Sequence, residues 1–479
     1  MKNRVHIIVF TFIVFGGILS SCTKEFLYTP SPNMALNNFF VSERNAQLAL
    51  MGCYNSMTLD ENNYFPFFLG DILCHDAYKG GEGPGDQSWM VPLLNFQYES
   101  SNPSLAEPYT DYYTAVSRCN TVIDNVTVMP DSIVPASDKA EIIAEARFVR
   151  GYFYFELLKT YGQVPLVMHA LPSSQKNQPL ATFTALWQQI ENDFDSAAIV
   201  LPVKSQQTDI GRATKGAAQA YLLKAYMFEK KWQQALNMAD TIIASKQYQL
   251  EPNYSDNWLL SNKNGIESVF EIQFANSGTG MYGNLNSGST FPVFEETRSD
   301  GTGYGFVCPT AVFVSQFEPG DIRLKATVIH DGDTLWAGTP DQTIADNHTG
   351  FSSCIDGYTV KKFQLPPSEL PTDDPSDNPM DWKCIRYAEV LLWRAEAASY
   401  LGGDWQTYVN MVRTRAKLPN TTLTNPITAI IHEQVVELAF EGQHFWEILR
   451  QGNGTNLLGP YGYVEATNHY FPLPNVQNF

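Results

Sequence analysis

Ala140–Leu166 reads AEIIAEARFVRGYFYFELLKTYGQVPL, and its spacing predicts one long helix. Asp138 followed three residues later by Glu141 is a start signal, and Gly162 and Pro165 stop it. Ile142, Ala146, Val149, Phe153 and Leu157 form one apolar stripe at steps of three and four; Phe148, Tyr152 and Phe155 form a second. A helix apolar on two faces is wedged between neighbours, so this one belongs in a core.

The chain on either side continues the pattern. Helices are predicted over Ser42–Thr58, with the stripe Ala46, Leu50, Cys53 and Met57, then over Pro108–Val126, Ala181–Val200 and Thr214–Ser245. The last divides into two around Glu229–Lys231, and Tyr226 and Ala235 stand where tetratricopeptide repeats place such residues. Tyr387–Leu401 and Asp404–Ala416 repeat the theme, Trp405 answering Trp232 and Tyr408 answering Ala235. A final helix opens at Asn425-Pro426, carries Ile427, Ile431, Val435, Leu438, Phe445 and Leu449, and closes at Gly452. The expected fold is all-α: tetratricopeptide-like helix pairs, each burying its neighbour's apolar face, with long irregular insertions and a few short strands.

Two regions lose helical periodicity. Residues 60–104 and 250–382 are rich in Gly, Asn, Asp, Pro and aromatics. Within the second, Ser268–Phe274 alternates like a strand, and Lys325–His330 and Thr359–Gln364 are shorter candidates. Structureless insertions this long inside a helical protein usually carry function.

The N-terminus is a targeting segment. Lys2 and Arg4 precede an apolar run, Val5 to Leu19, too short to span a bilayer comfortably, and Leu19-Ser20-Ser21-Cys22 follows. A cysteine at the first mature position is the bacterial lipoprotein pattern, so Cys22 is the expected lipidation site. Six further cysteines form no CxxC pair, and their pairing cannot be read from spacing. Of 479 residues 44% are hydrophobic, enough for a sizeable core; the net charge of −19, with no basic patch, disfavours nucleic acid.

Taken together, the wording resembles the SusD/RagB family of Bacteroidota outer-membrane lipoproteins. AEARFVRGYFYFELLKTYGQVPL looks like its first internal signature; ATKGAAQAYLLKAYMF, IRYAEVLLWRAEAASYLGGD and VNMVRTRAKLP follow in the family's order. VVELAFEGQHFWEILRQG looks like its C-terminal helix, usually written with Arg where Gln443 or His444 stands, and FPLP resembles its terminal YPIP. The resemblance implies a SusD-like superhelix that binds glycan, or in the RagB branch peptide. It also implies that the protein sits as a lid on a SusC-like TonB-dependent barrel. The organisation expected is a signal over 1–21, a tether over 22–40 and an N-terminal helical region over 41–249. An irregular ligand-binding insertion over 250–382 and a C-terminal helical region over 383–479 complete it.

Catalytic patterns are missing from the sequence. Gly278–Gly283 matches GxGxxG after a candidate strand, but no helix follows to meet a pyrophosphate. There is no P-loop, HExxH or GxSxG, and His432-Glu433 lacks a second His. Asp373, Asp374, Asp377, Asn378 and Asp381 lack the EF-hand glycine and terminal Glu, and read as a solvated acidic loop. No enzyme activity, cofactor or metal is expected; a glycosidase carboxylate pair is defined in space and leaves no sequence trace.

Binding has better support. A sugar presents an apolar C–H face and a hydroxyl rim, which exposed aromatics and short polar groups meet. The loop regions offer Asp76, Tyr78, Lys79, Trp89 and Asn95 in the first, and Tyr282, Arg298, Tyr304 and Trp336 in the second. Trp89, preceded by Asp86, Gln87 and Ser88, is the foremost platform candidate. Phe65, Phe67 and Phe68 read as core, and Trp232, Trp393 and Trp446 as helix packing.

Overall fold

The computed structural model describes residues 39–58, 69–172, 178–278, 288–296, 303–345, 354–372 and 374–475. Cys22, Phe65, Phe67, Phe68, Tyr282, Arg298, Asp373 and most of the GxGxxG match therefore lie outside the described residues. None of the described helices is long and apolar enough to cross a membrane.

The helices follow one another in space as in sequence. α1 (Glu43–Asn55) lies on α2 (Pro103–Val128) and α3 (Ala136–Tyr161); α3 lies on α4 (Phe183–Val200), α4 on α5 (Lys215–Phe228) and α5 on α6 (Trp232–Ala244). α6 then meets α7 (Tyr387–Tyr400), which packs on α8 (Gln406–Arg415) and α9 (Pro426–Glu437). This is the expected helix-pair stack. Ala235 is fully buried, and Trp232 stacks on Tyr400 at 4.1 Å, joining the start of α6 to the end of α7.

Every member of the two stripes on α3 is buried. Its start differs from the reading: the helix begins at Ala136, with Pro135 at the cap position and no side-chain capping bond. Asp138 instead lies in the first turn, where a negative charge favours the helix dipole. At the other end Gly162 adopts φ 73°, and a Cβ there would come within 3.0 Å of the Tyr470 ring, where the C-terminal tail passes. Arg150 bonds Asp193 through Nε and Nη2 at 2.9 and 2.8 Å and Asn120 at 2.7 Å, tying α3 to both flanking helices. α2 also begins earlier than read. Asn102 caps it, Pro103 occupies the first turn, and Pro108 only forgoes one interior hydrogen bond.

The insertion leaves and rejoins the stack through one ribbon. β2 (Ser268–Ile272) pairs antiparallel with β8 (Trp382–Arg386) and is buried along its length, so the alternation read there does not mark a solvent face. Phe270 packs on Phe148 at 4.9 Å, while Glu271 pairs with Lys383. Three more antiparallel ribbons join β1 (Ala77–Gly80) to β3 (Phe306–Pro309), β4 (Val328–His330) to β7 (Tyr358–Val360), and β5 (Thr334–Leu335) to β6 (Thr343–Ile344). The strands read at Lys325 and Thr359 are thus shorter. Arg323–Thr327 is a helical turn, because Asp321 accepts from both the backbone and the guanidinium of Arg323. The acidic run is not a solvated loop either. Asp377 accepts from Ser277 N and Gly278 N at 2.8 and 2.6 Å, and buried Asp381 bonds Phe274 N and Lys263.

The predicted C-terminal helix is two helices. α9 ends at Glu437 and α10 spans His444–Arg450, because Phe440 and Gly442 take positive φ of 58° and 71° between them. Asp71 accepts from Gly442 N at 2.9 Å and holds the bend. The buried face of α9 carries Ala429, Ile430, Glu433, Val436 and Glu437, while Ile427, Ile431 and Val435 are half-buried. Hydrophobic spacing misses this face because two of its residues are carboxylates with buried partners.

Those partners form a network. Arg386 bonds Glu267 at 2.5 Å, Glu437 at 3.0 Å and Glu441 through two nitrogens at 2.8 and 2.7 Å. Arg323 reaches Glu433 and Glu437 at 3.0 and 3.1 Å; Arg415 bonds Glu267 at 2.8 Å and also pairs with Glu437; Lys362 bonds Glu441 at 2.8 Å. Burial alone would raise the Glu437 carboxyl, but Arg415, Arg386 and Arg323 hold it down to about 2. Glu267, Arg323, Lys362 and Arg386 come from the insertion or its edges, so the network fastens the irregular region to α8 and α9.

Candidate functional site

The β1–β3 ribbon joins the two loop regions, and its exposed side chains form the best-defined candidate surface. Tyr78 on β1 stands opposite Cys308 and is 38% exposed. Cys308 is bonded to Cys354, the pairing that spacing left open; Cys53, Cys74, Cys119 and Cys384 are free and buried. The disulfide fixes the segment carrying Asp356. That carboxylate accepts from Ala311 N at 2.7 Å and lies close enough to the Tyr78 hydroxyl to act on it. Partial burial, then the Asp356 charge, push the Tyr78 phenol up.

A second aromatic stands beside it. His75, held at φ 63°, stacks its ring on Tyr461 at 3.5 Å between centroids and 11° between planes. Tyr461 is 48% exposed, and its phenol lies close enough to Tyr78 to raise that group as well. Burial lowers the His75 imidazole, which favours its neutral form as a packing ring. Val312 and Ile355, both exposed, sit next to the Asp356 anchorage in sequence. The surface therefore offers two phenol faces, apolar flanks and a fixed carboxylate acceptor.

The sequence-predicted residues distribute unevenly. Asp76 lies just before β1 and bonds His444 at 2.5 Å. Asn95 is exposed, and its carbonyl would lie 3.0 Å from a Cβ at Gly462, next to Tyr461. Tyr304 is half-exposed where the chain enters β3, edge-on to Phe294 at 5.2 Å. Asp76, Tyr78 and Tyr304 thus lie on or beside the β1–β3 ribbon, and Asn95 lies beside the Tyr461 turn.

Lys79 and the two tryptophans have different surroundings. Lys79 is buried: its ammonium donates to the carbonyls of Gly83 and Asp86 at 2.9 and 2.6 Å and lies over Phe306, so it clamps the loop. Trp89 is half-buried against the main core and donates to Gln87 at 2.5 Å, beside an apolar depression lined by Leu69, Ile72, Leu73 and Leu93. Trp336, at φ 46°, covers a separate small core of Ile329, Leu335 and Ala345.

Sequence reasoning misses His75, Tyr461 and Asp356. Gly459-Pro460-Tyr461-Gly462-Tyr463 carried a signal, since a Gly/Pro turn presents its aromatics to solvent. Asp356 carried none: the disulfide and its bond from Ala311 N bring it to Tyr78.

Comparison with known proteins agrees with this architecture. The model of the SusD family matches residues 266–478, and one described as starch-binding associating with outer membrane matches residues 45–227. A SusD-like protein of Formosa agariphila is 24% identical, over 93% of this chain and 90% of the relative. One of Bacteroides ovatus is 25% identical, over 94% of this chain and 82% of the relative. A solved laminarin-binding SusD-like protein superposes with a TM-score of 0.78 at 26% identity, covering 90% of this chain and 96% of its own. The helix stack, the order of its signatures and two adjacent family matches spanning most of the sequence lead to one conclusion: this chain belongs to the SusD family.

Proposed function

We propose that the protein is a cell-surface glycan-binding lipoprotein. It captures an oligo- or polysaccharide on the Tyr78–Tyr461 surface and hands it to a SusC-like TonB-dependent barrel. Cys22, lipidated, tethers it to the outer membrane; the family match described as starch-binding associating with outer membrane supports that location. The observation that carries the binding role is the pair of exposed phenols beside a carboxylate fixed by a disulfide. Ring faces cover the apolar side of a pyranose, and Asp356 accepts from its hydroxyls. The laminarin-binding relative supports the same ligand class.

Electrophoresis through gels containing laminarin or starch tests the reading. The protein is expected to be retarded by one of them, and Tyr78→Ala with Tyr461→Ala to migrate freely. Normal retardation of the double variant would refute the site. Peptide co-purifying in place of sugar, identified by mass spectrometry, would refute the ligand class.

A further inference from the structure

Immediately before β1 lies a group of side chains that the glycan reading does not use. Cys74, Asp76 and His444 each present a donor atom, and the three atoms lie within 4.8 Å of one another. Cys74 is buried and its thiol donates to Asp71 O at 3.1 Å. Asp76 and His444, bonded to each other, are 17% and 18% exposed, so the cluster has a solid floor and an open side. We propose that Cys74, Asp76 and His444 bind a zinc-class divalent cation, with the fourth position open to solvent.

The donor set selects the ion. Thiolate with imidazole and carboxylate suits zinc, whereas calcium and magnesium take oxygen alone. Zinc bonds of about 2.0–2.3 Å place tetrahedral ligands roughly 3.3–3.8 Å apart. The Asp76–His444 contact, 2.5 Å apart, opens to meet that spacing. On binding, the thiol releases its proton to solvent and the imidazole ligates as a neutral ring.

Among the described residues no arginine or lysine forms a salt bridge with Asp76. The other cluster of this kind, Glu318, His432 and Glu433, already holds Arg413 at 2.6 and 2.5 Å. Beneath the first cluster lies buried Asp71, and near Asp71 lies Glu295, whose two carboxylate oxygens have no hydrogen-bond partner. A bound ion would tie the segment entering β1 to α10 and steady Tyr78. Sequence pattern hides the site because Asp76 and His444 stand 368 residues apart.

The test uses the full chain carrying C22S, which keeps it out of lipid, after dialysis against a chelator. Cobalt(II) is titrated and absorption recorded. The expected result is saturation at one ion per chain, with a near-ultraviolet thiolate-to-cobalt charge-transfer band and intense tetrahedral d–d bands, both displaced by zinc. C74S should abolish the charge-transfer band, and H444N should weaken binding about tenfold or more. A parental far-ultraviolet circular dichroism spectrum and urea midpoint report that each variant is folded. No saturable band in the parent chain, or a band unchanged by C74S, overturns the proposal; neither result bears on glycan binding itself.

Discussion

Around α9 charged side chains lie inside the protein; along the β1–β3 ribbon aromatic side chains lie outside it. Each reverses the usual partition, and each is tolerated for a different reason. Glu433 and Glu437 are buried because Arg323, Arg386, Arg413 and Arg415 surround them. Tyr78 and Tyr461 are exposed with only their edges or backs supported, by Asp356 and His75. The inward inversion is completed within the chain, so it serves the fold. The outward one is left incomplete, as the proposed ligand-binding role requires.

The largest effects should come from breaking the inward inversion. Arg386→Met strands Glu267, Glu437 and Glu441 without their shared partner, and is expected to cost about 3–5 kcal/mol in urea unfolding. A loss below roughly 1 kcal/mol would mean that the network is not what fastens the insertion. Cys308→Ser with Cys354→Ser acts on the other side of the comparison. It should cost about 2–4 kcal/mol and also weaken glycan retardation, since Asp356 loses its tether; unchanged retardation would remove Asp356 from the site.

Acid should separate the regions more gently. The Glu437 carboxyl sits at about 2 in the folded protein, below its ordinary value of 4.5. Its contribution is complete above 4.5 and is lost as pH falls from there towards 2. Thermal unfolding across that window should show a falling midpoint, steeper than in Glu437→Gln. Glu389 on α7 carries the opposite pH dependence and acts away from the candidate surface. Burial raises its carboxyl to about 8, with Lys224 opposing, and one of its oxygens lacks a partner. Between 4.5 and 8 the folded state holds a proton that the unfolded state has released, so stability declines as pH rises. Glu389→Gln should abolish that slope and become increasingly stabilising towards pH 8, without altering glycan retardation.

The helical stack was largely legible because its packing is local: the stripes of α3, the break at Glu229–Lys231 and the Asn425-Pro426 cap are written in adjacent residues. Hydrophobic spacing failed on α9, where charge pairing rather than apolarity selects the buried face. It also failed at Phe440–Gly442, where a contact from Asp71 stabilises a break that local propensity does not announce. The candidate surface was legible only in part. Tyr78, Asp76, Asn95 and Tyr304 could be nominated from loop context, but Tyr461 comes near Tyr78 by stacking on His75, and Asp356 through a ribbon and a disulfide between distant segments. Trp89, favoured for its polar neighbours, leans on the core instead.

The central claim is that the exposed phenols bind ligand while contributing little to the fold. Tyr78→Ala with Tyr461→Ala should lower glycan affinity by about 2–3 kcal/mol in isothermal titration, taking about 1–1.5 kcal/mol per ring. The same variant should unfold in urea within about 0.5 kcal/mol of the parent chain. Parental affinity in that stable double variant would contradict the claim.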